Sequence, residues 1–238
     1  MKTVLITGGS RGIGREMVRV FSENGYNVAF TYKSSHSEAE MLAEETGAFA
    51  IAADSASETD VIRAVESTVN EFGSIDCLVN NAAISSFSLF TDITLDDWNN
   101  MLAVNLTAAF LYSRSVIPYM LKKKCGRIIN VTSMWGLVGA SCEVHYSSAK
   151  AGLNGMTKAL AKELGPSGIT VNAIAPGVID TDMNSSLSSE DREALIGDTP
   201  LMRIGKVADV AQTALFLAGD GASFITGEVI NVSGGYVI

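Results

Sequence analysis

The chain has 238 residues, 47% of them apolar and 18% charged, with a formal net charge of −9. That length suits one α/β domain with ample core material. The acidic balance argues against general nucleic-acid binding, which needs a basic surface. Three cysteines, Cys77, Cys125 and Cys142, form no CxxC pair, and the two histidines, His36 and His145, belong to no metal-binding pattern. No disulfide framework and no metal site are expected, and a reducing cytoplasm fits best. Val4-Leu5-Ile6 meets Gly8 and Gly9 too soon for a signal peptide, and no apolar run approaches a membrane span.

Apolar runs of strand length alternate with helical patterns along the whole chain. Strands are expected at 3–7, 27–32, 49–53, 77–80, 127–132, 170–175 and 228–232. Most are continuous rather than alternating, as parallel strands covered on both faces should be. Helices are expected at 13–24, 37–46, 58–72, 96–123, 145–165 and 207–218. The alternation predicts a single-domain, Rossmann-type, doubly wound parallel sheet of about seven strands, with helices on both faces.

The first strand runs into Thr7-Gly8-Gly9-Ser10-Arg11-Gly12-Ile13-Gly14, and a helix follows. Glycines there allow a tight turn and close approach of a phosphate to a helix N-terminus. The spacing is not GxGxxG, since position 17 is Met17. At the end of the second strand an NAD site usually places an acid. Here Lys33 stands instead, and with Arg11 it suits a 2′-phosphate, so NADP(H) is favoured over NAD(H). Asp54 and Ser55 close the third strand. Asp54 either meets an adenine or caps the next helix.

Asn80-Asn81-Ala82-Ala83 closes the fourth strand. Asn105 interrupts an apolar helical pattern, either as a satisfied core amide or as the anchor of a water near a site. Ser133 closes the fifth strand, where a hydroxyl can donate to a carbonyl. Tyr146 and Lys150 lie four apart on a helix, a phenol and an ammonium on one face. A nearby cation lowers a phenol's pKa by about 1–3 units, toward the range of a general acid. Small residues at Ser148, Gly152, Gly155 and Ala159 line the opposite face, where a second subunit could pack. Pro176 and Gly177 end the sixth strand, followed by Ile179 and Thr181. Residues 182–200 form a long polar stretch, read as a substrate cover or a surface excursion. A helix start is expected at Ser188 within it.

In this order the motifs resemble the short-chain dehydrogenase/reductase family over nearly the whole chain. They are TGGSRGIG at 7–14, NNAA at 80–83, Asn105, Ser133, YSSAK at 146–150 and the pair Pro176-Gly177. Within the family the chain is most similar to the β-ketoacyl–acyl carrier protein reductases, through residues 126–131, 201–205 and 225–229. Ala83 stands where the family usually has glycine.

The resemblance implies a hydride transfer from NADPH to a 3-oxoacyl thioester. Ser133 would polarise the ketone, Tyr146 donate the proton, Lys150 lower the phenol's pKa and hold the ribose, and Asn105 hold a water. Gly8, Gly9, Ser10, Arg11, Gly12, Ile13, Gly14, Lys33, Asp54, Ser55, Asn81, Ala82, Pro176, Gly177, Ile179 and Thr181 would hold the dinucleotide. Family resemblance also implies a homotetramer. Lys122, Lys123 and Lys124 offer a docking patch for an acidic carrier protein. A reductase of free ketones, sugars or steroids is the alternative, and a non-catalytic dinucleotide sensor a further one.

Overall fold

The computed structural model describes residues 1–184 and 188–237. Seven parallel strands form one sheet: β1 (Thr3–Ile6), β2 (Asn27–Tyr32), β3 (Phe49–Ala52), β4 (Cys77–Asn80), β5 (Gly126–Val131), β6 (Ile169–Pro176) and β7 (Val229–Val232). Their order is β3-β2-β1-β4-β5-β6-β7. The chain leaves β1 toward one edge and returns at β4 toward the other. The crevice at the C-terminal ends of these two strands is the topological switch point, where open α/β sheets bind ligands.

Two cores explain why the strands read as unbroken apolar runs. Val4 and Ile6 of β1 face one core, with α1 (Gly12–Glu23), α2 (His36–Thr46) and α9 (Val207–Ala218). Leu5, between them, faces the other, with α3 (Glu58–Phe72), α5 (Ala108–Lys123) and α7 (Val144–Leu164). Alternate residues point to opposite faces and both faces are covered, so Val4, Leu5 and Ile6 form an unbroken apolar run.

Three differences from the expected elements bear on the site. The long helix expected at 96–123 is broken. It comprises α4 (Leu95–Leu102), a π-helical turn at Ala103–Thr107, and α5. Second, the turn after β5 holds a short helix, α6 (Trp135–Val138). A Cβ on Gly136 would stand 2.8 Å from the Lys150 carbonyl carbon, so glycine lets α6 lie directly on α7. Third, residues 182–200 contain α8 (Ser189–Asp198), started at Ser188 as expected. The Ser188 hydroxyl accepts from Asp191 N at 3.1 Å, and the Asp191 carboxylate accepts from Ser188 N. This reciprocal pair is a capping box. Residues 185–187 of the expected cover lie outside the described residues. Among the described residues no helix is long and apolar enough to cross a membrane.

A buried polar chain ties α7 to the sheet. Asn80 Nδ2 donates to Asn130 Oδ1 at 2.8 Å, and Asn130 Nδ2 donates to Thr157 Oγ1 at 2.8 Å. These amides sit near the strand ends and fix the height of α7 beneath the crevice.

Candidate active site

The turn after β1 is built for a group with no room to spare. Gly8 and Gly12 have φ of +67° and +53°, the left-handed region that favours glycine. A Cβ on Gly14 would lie 2.1 Å from the Gly8 carbonyl oxygen. The turn is clamped from β4: Thr7 Oγ1 accepts from the backbone N–H of Asn81 and Ala82, each at 2.9 Å. Asn81 Nδ2 in turn donates to the carbonyls of Thr7 and Gly8 at 2.9 and 3.0 Å. A Cβ on Gly8 would meet Ala82 Cα at 2.9 Å. The first turn of α1 then presents its unpaired N–H groups to the crevice. This backbone cradle fits the pyrophosphate of a dinucleotide. Gly9 is different. It packs inward, its N–H donating to the Thr31 carbonyl at 2.8 Å, and it does not line the crevice. Its glycine is needed because a Cβ would strike Phe30 at 2.6 Å.

The cleft has a volume of about 630 Å³ and runs from this turn past β2 and β3 on one side, and to α7 on the other. At its outer end Lys33 Nζ pairs with Asp54 at 2.7 Å. That pairing holds the Asp54 carboxyl below the usual carboxylate range. Asp54 also accepts from Ala56 N at 3.0 Å, while Ser57, not Asp54, caps α3. Arg11 and Ser55 line the same end.

Ser133, Tyr146 and Lys150 meet at the inner end, all buried and all lining the cleft. The Ser133 hydroxyl accepts from Trp135 N at 3.1 Å and lies beside the phenol. Lys150 Nζ donates to the Val131 carbonyl at 2.9 Å and stands 5.6 Å from the centre of the Tyr146 ring. The expected lowering of the phenol's pKa is corrected here. Burial pushes Tyr146 up to about 12, against the lowering influence of the Ser133 hydroxyl beside it, with the Glu143 charge adding to the rise. Burial also brings Lys150 down to about 7. In one dry pocket burial disfavours the charged form of both groups. A phenol at 12 is protonated throughout the neutral range, which suits a proton donor.

The other expected residues divide. Pro176, Gly177, Ile179 and Thr181 line the cleft. The Pro176 carbonyl accepts from Met134 N at 2.9 Å, tying the loop after β6 to the loop after β5. Asn105 does not line the cleft. Its Nδ2 donates to the carbonyls of Ile84 and Met101 at 3.0 and 3.1 Å, and its Oδ1 accepts from Ile84 N. The side chain is a satisfied core amide beside the π turn.

The lysine patch is also out of place. Lys122, Lys123 and Lys124 precede the N-terminal end of β5, whereas the cleft opens at its C-terminal end. Six residues of strand set the two roughly 20 Å apart. Lys123 is further occupied by an ion pair with Asp76. The patch therefore does not border its own cleft, contrary to expectation. On the small-residue face of α7, Gly152 is covered from within the chain by Leu106, while Gly155 and Ala159 are exposed.

Trp135 and Glu143 are among the cleft residues not singled out from the sequence. Trp135 sits on the helix α6 that no pattern announced, and Glu143 immediately precedes α7. Glu143 stands three residues before Tyr146, but a glutamate at a helix start ordinarily reads as a solvated cap.

Comparison with known proteins agrees with this geometry. Residues 8–237 match a family model described as enoyl-(acyl carrier protein) reductase. The 3-oxoacyl-(acyl-carrier-protein) reductase of Staphylococcus epidermidis is 42% identical, over 98% of each chain. That of Synechocystis is 41% identical, over 100% of this chain and 97% of the relative. A solved structure, a mutant short-chain dehydrogenase/reductase from Serratia marcescens, superposes with a TM-score of 0.93. It is 36% identical and covers 99% of this chain and 97% of its own. By the family model over nearly its whole length and by relatives at this identity, the chain belongs to the short-chain dehydrogenase/reductase family.

Proposed function

We propose that the chain reduces the 3-oxo group of an acyl thioester carried on acyl carrier protein, with NADPH as reductant. The observation that carries this reading is that Ser133, Tyr146 and Lys150 line, side by side, the cleft that also holds the glycine turn. The names of the relatives supply the substrate class. As a member of its family the chain is an oxidoreductase acting on C=O and CH–OH groups, with a nicotinamide dinucleotide cofactor. The nicotinamide supplies the hydride when bound.

The chain's own residues supply the rest. The turn at 8–14 holds the pyrophosphate on backbone N–H groups. Arg11 and Lys33 meet the 2′-phosphate that distinguishes NADPH, Lys33 exchanging its Asp54 partner for it. Asp54 and Ser55 border the adenine. Ser133 donates to the ketone oxygen while Tyr146 transfers its proton to the developing alkoxide. Such acid catalysis contributes about 10²–10⁴ in rate. Lys150, held by the Val131 carbonyl, binds the nicotinamide ribose and returns the proton to Tyr146.

Residues 1–238 act as one catalytic domain, with residues 182–200 as the substrate cover. The exposed Gly155 and Ala159 face of α7 packs against a second copy in a homotetramer. Three cysteines without disulfide partners suit a cytoplasmic enzyme.

A panel of ketones assayed with NADPH and with NADH tests the reading. Acetoacetyl thioester with NADPH should be the preferred pair. Preference for a free sugar or steroid would overturn the acyl assignment and favour a general carbonyl reductase.

A further inference from the structure

Tyr112 on α5 is fully buried, and among the described residues its hydroxyl has no hydrogen-bond partner. Its ring packs in the core that Leu5 faces, with Ala29 of β2, Ile51 of β3 and Ala53. Two residues beyond Ala29 and Ala53 stand Thr31 and Ser55, and their hydroxyls are the polar groups beside the phenol. Thr31 and Ser55 line the cleft, and Tyr112 does not. The phenol therefore stands one layer beneath the cleft floor, at the end assigned above to the adenine. A buried hydroxyl left unpaired destabilises the fold that carries it, so for stability alone a phenylalanine would fill this place better.

We propose that Tyr112 is a positioning residue for the adenine end of the dinucleotide, acting through the Ser55 hydroxyl. This rests on the cofactor reading above, which sets Ser55 beside the adenine. A serine hydroxyl has one hydrogen to donate and two lone pairs to accept with. The unsubstituted ring nitrogens of adenine are acceptors. A Ser55 that donates to one of them turns its own oxygen toward the phenol, and Tyr112 gains the acceptor it lacks. Hydrogen bonds in such a row polarise and strengthen one another.

Thr31 secures the other side of the phenol. Its Oγ1 accepts from Gly8 N at 3.3 Å, and Gly8 opens the turn assigned to the pyrophosphate. The Thr31 hydrogen is left to donate to the Tyr112 oxygen. The phenol thus lies between a hydroxyl fixed by the phosphate turn and a hydroxyl that meets the base. A phenylalanine in its place would keep the ring packing and remove only this link.

Tyr112→Phe, Ser55→Ala and the double variant test this against wild type. Dissociation constants are read by cofactor fluorescence for NADPH, NADH and reduced nicotinamide mononucleotide, which lacks the adenosine. Thermal midpoints are taken without cofactor, and kcat at saturating NADPH. Tyr112→Phe should weaken NADPH and NADH by the same factor, about fivefold, the worth of one hydrogen bond. It should leave the mononucleotide within twofold, kcat within twofold, and the midpoint equal to wild type or above it. In the Ser55→Ala background the same change should cost less than twofold, because the two residues act through one bond. A loss of dinucleotide affinity under twofold in Tyr112→Phe overturns the proposal, as does an equal loss with the mononucleotide. A lowered midpoint or a failure to fold overturns it too, since the phenol would then be structural, and so does a full further loss on top of Ser55→Ala. A wild type that binds NADPH no better than the mononucleotide would sink the dinucleotide reading itself; a wild type that binds it better, with Tyr112→Phe unchanged, sinks only this proposal.

Discussion

Lys150 Nζ donates to the Val131 carbonyl, 2.9 Å away, and stands 5.6 Å from the centre of the Tyr146 ring. The amine is thus positioned by β5 rather than by the phenol it serves. The end of a strand fixes the cation and a helix turn fixes the acid, so the pair is rigid from two sides.

Burial holding Lys150 at about 7 makes stability depend on pH. Between about pH 7 and 10 the folded chain has lost a proton at this site that the unfolded chain, with an ordinary lysine, still binds. Stability must therefore rise with pH across that window. Tyr146, raised to about 12, opposes this only above pH 10, where the unfolded phenol ionises first. Lys150→Met removes the titration. It should stabilise the chain more at pH 6 than at pH 9, read as the difference in thermal midpoint from wild type at each pH. An equal shift at both would contradict a depressed Lys150.

Asn130 links Asn80 on β4 to Thr157 on α7, each at 2.8 Å. Asn130→Leu removes one partner from each neighbour, Asn80 keeping Ser113 and Thr157 keeping Leu153, at about 0.5–1.5 kcal/mol for each hydrogen bond lost. Denaturant unfolding should show a loss of that order. Turnover should fall further than stability alone explains, because α7 carries Tyr146 and Lys150. A change under about 0.5 kcal/mol, the size of an ordinary surface substitution, would mean the chain of amides does not anchor α7.

Lys33 and Arg11 carry the claim for NADPH. Lys33→Ala combined with Arg11→Ala should raise the NADPH KM at least tenfold and leave the NADH KM within twofold. Lys33 is exposed and pairs with Asp54, so the surface ion pair contributes little to stability and the fold should tolerate the change. Equal effects on the two cofactors would remove the basis for choosing between them.

Much of this was legible before any coordinates. The strands declared themselves because β1 is covered on both faces, so Val4, Leu5 and Ile6 run unbroken. The glycine turn was legible because its positions require a missing Cβ, as the 2.1 Å clash at Gly14 shows. Asn105 was not: sequence cannot show that Ile84 and Met101 present backbone groups to its amide. The lysine patch misled because three basic residues in a row say nothing about which end of the sheet they occupy. Glu143 was passed over for the same reason, since burial at a helix start is a tertiary fact. The shift of Tyr146 was read with the wrong sign because spacing reports the neighbouring amine but not the loss of water.

The central claim is that the Tyr146 phenol is the proton donor. Single-turnover reduction of acetoacetyl thioester by wild type and Tyr146→Phe, with NADPH binding followed by cofactor fluorescence, tests it most directly. The account predicts at least a hundredfold loss in rate with NADPH affinity within threefold of wild type. A variant that turns over near the wild-type rate would contradict it.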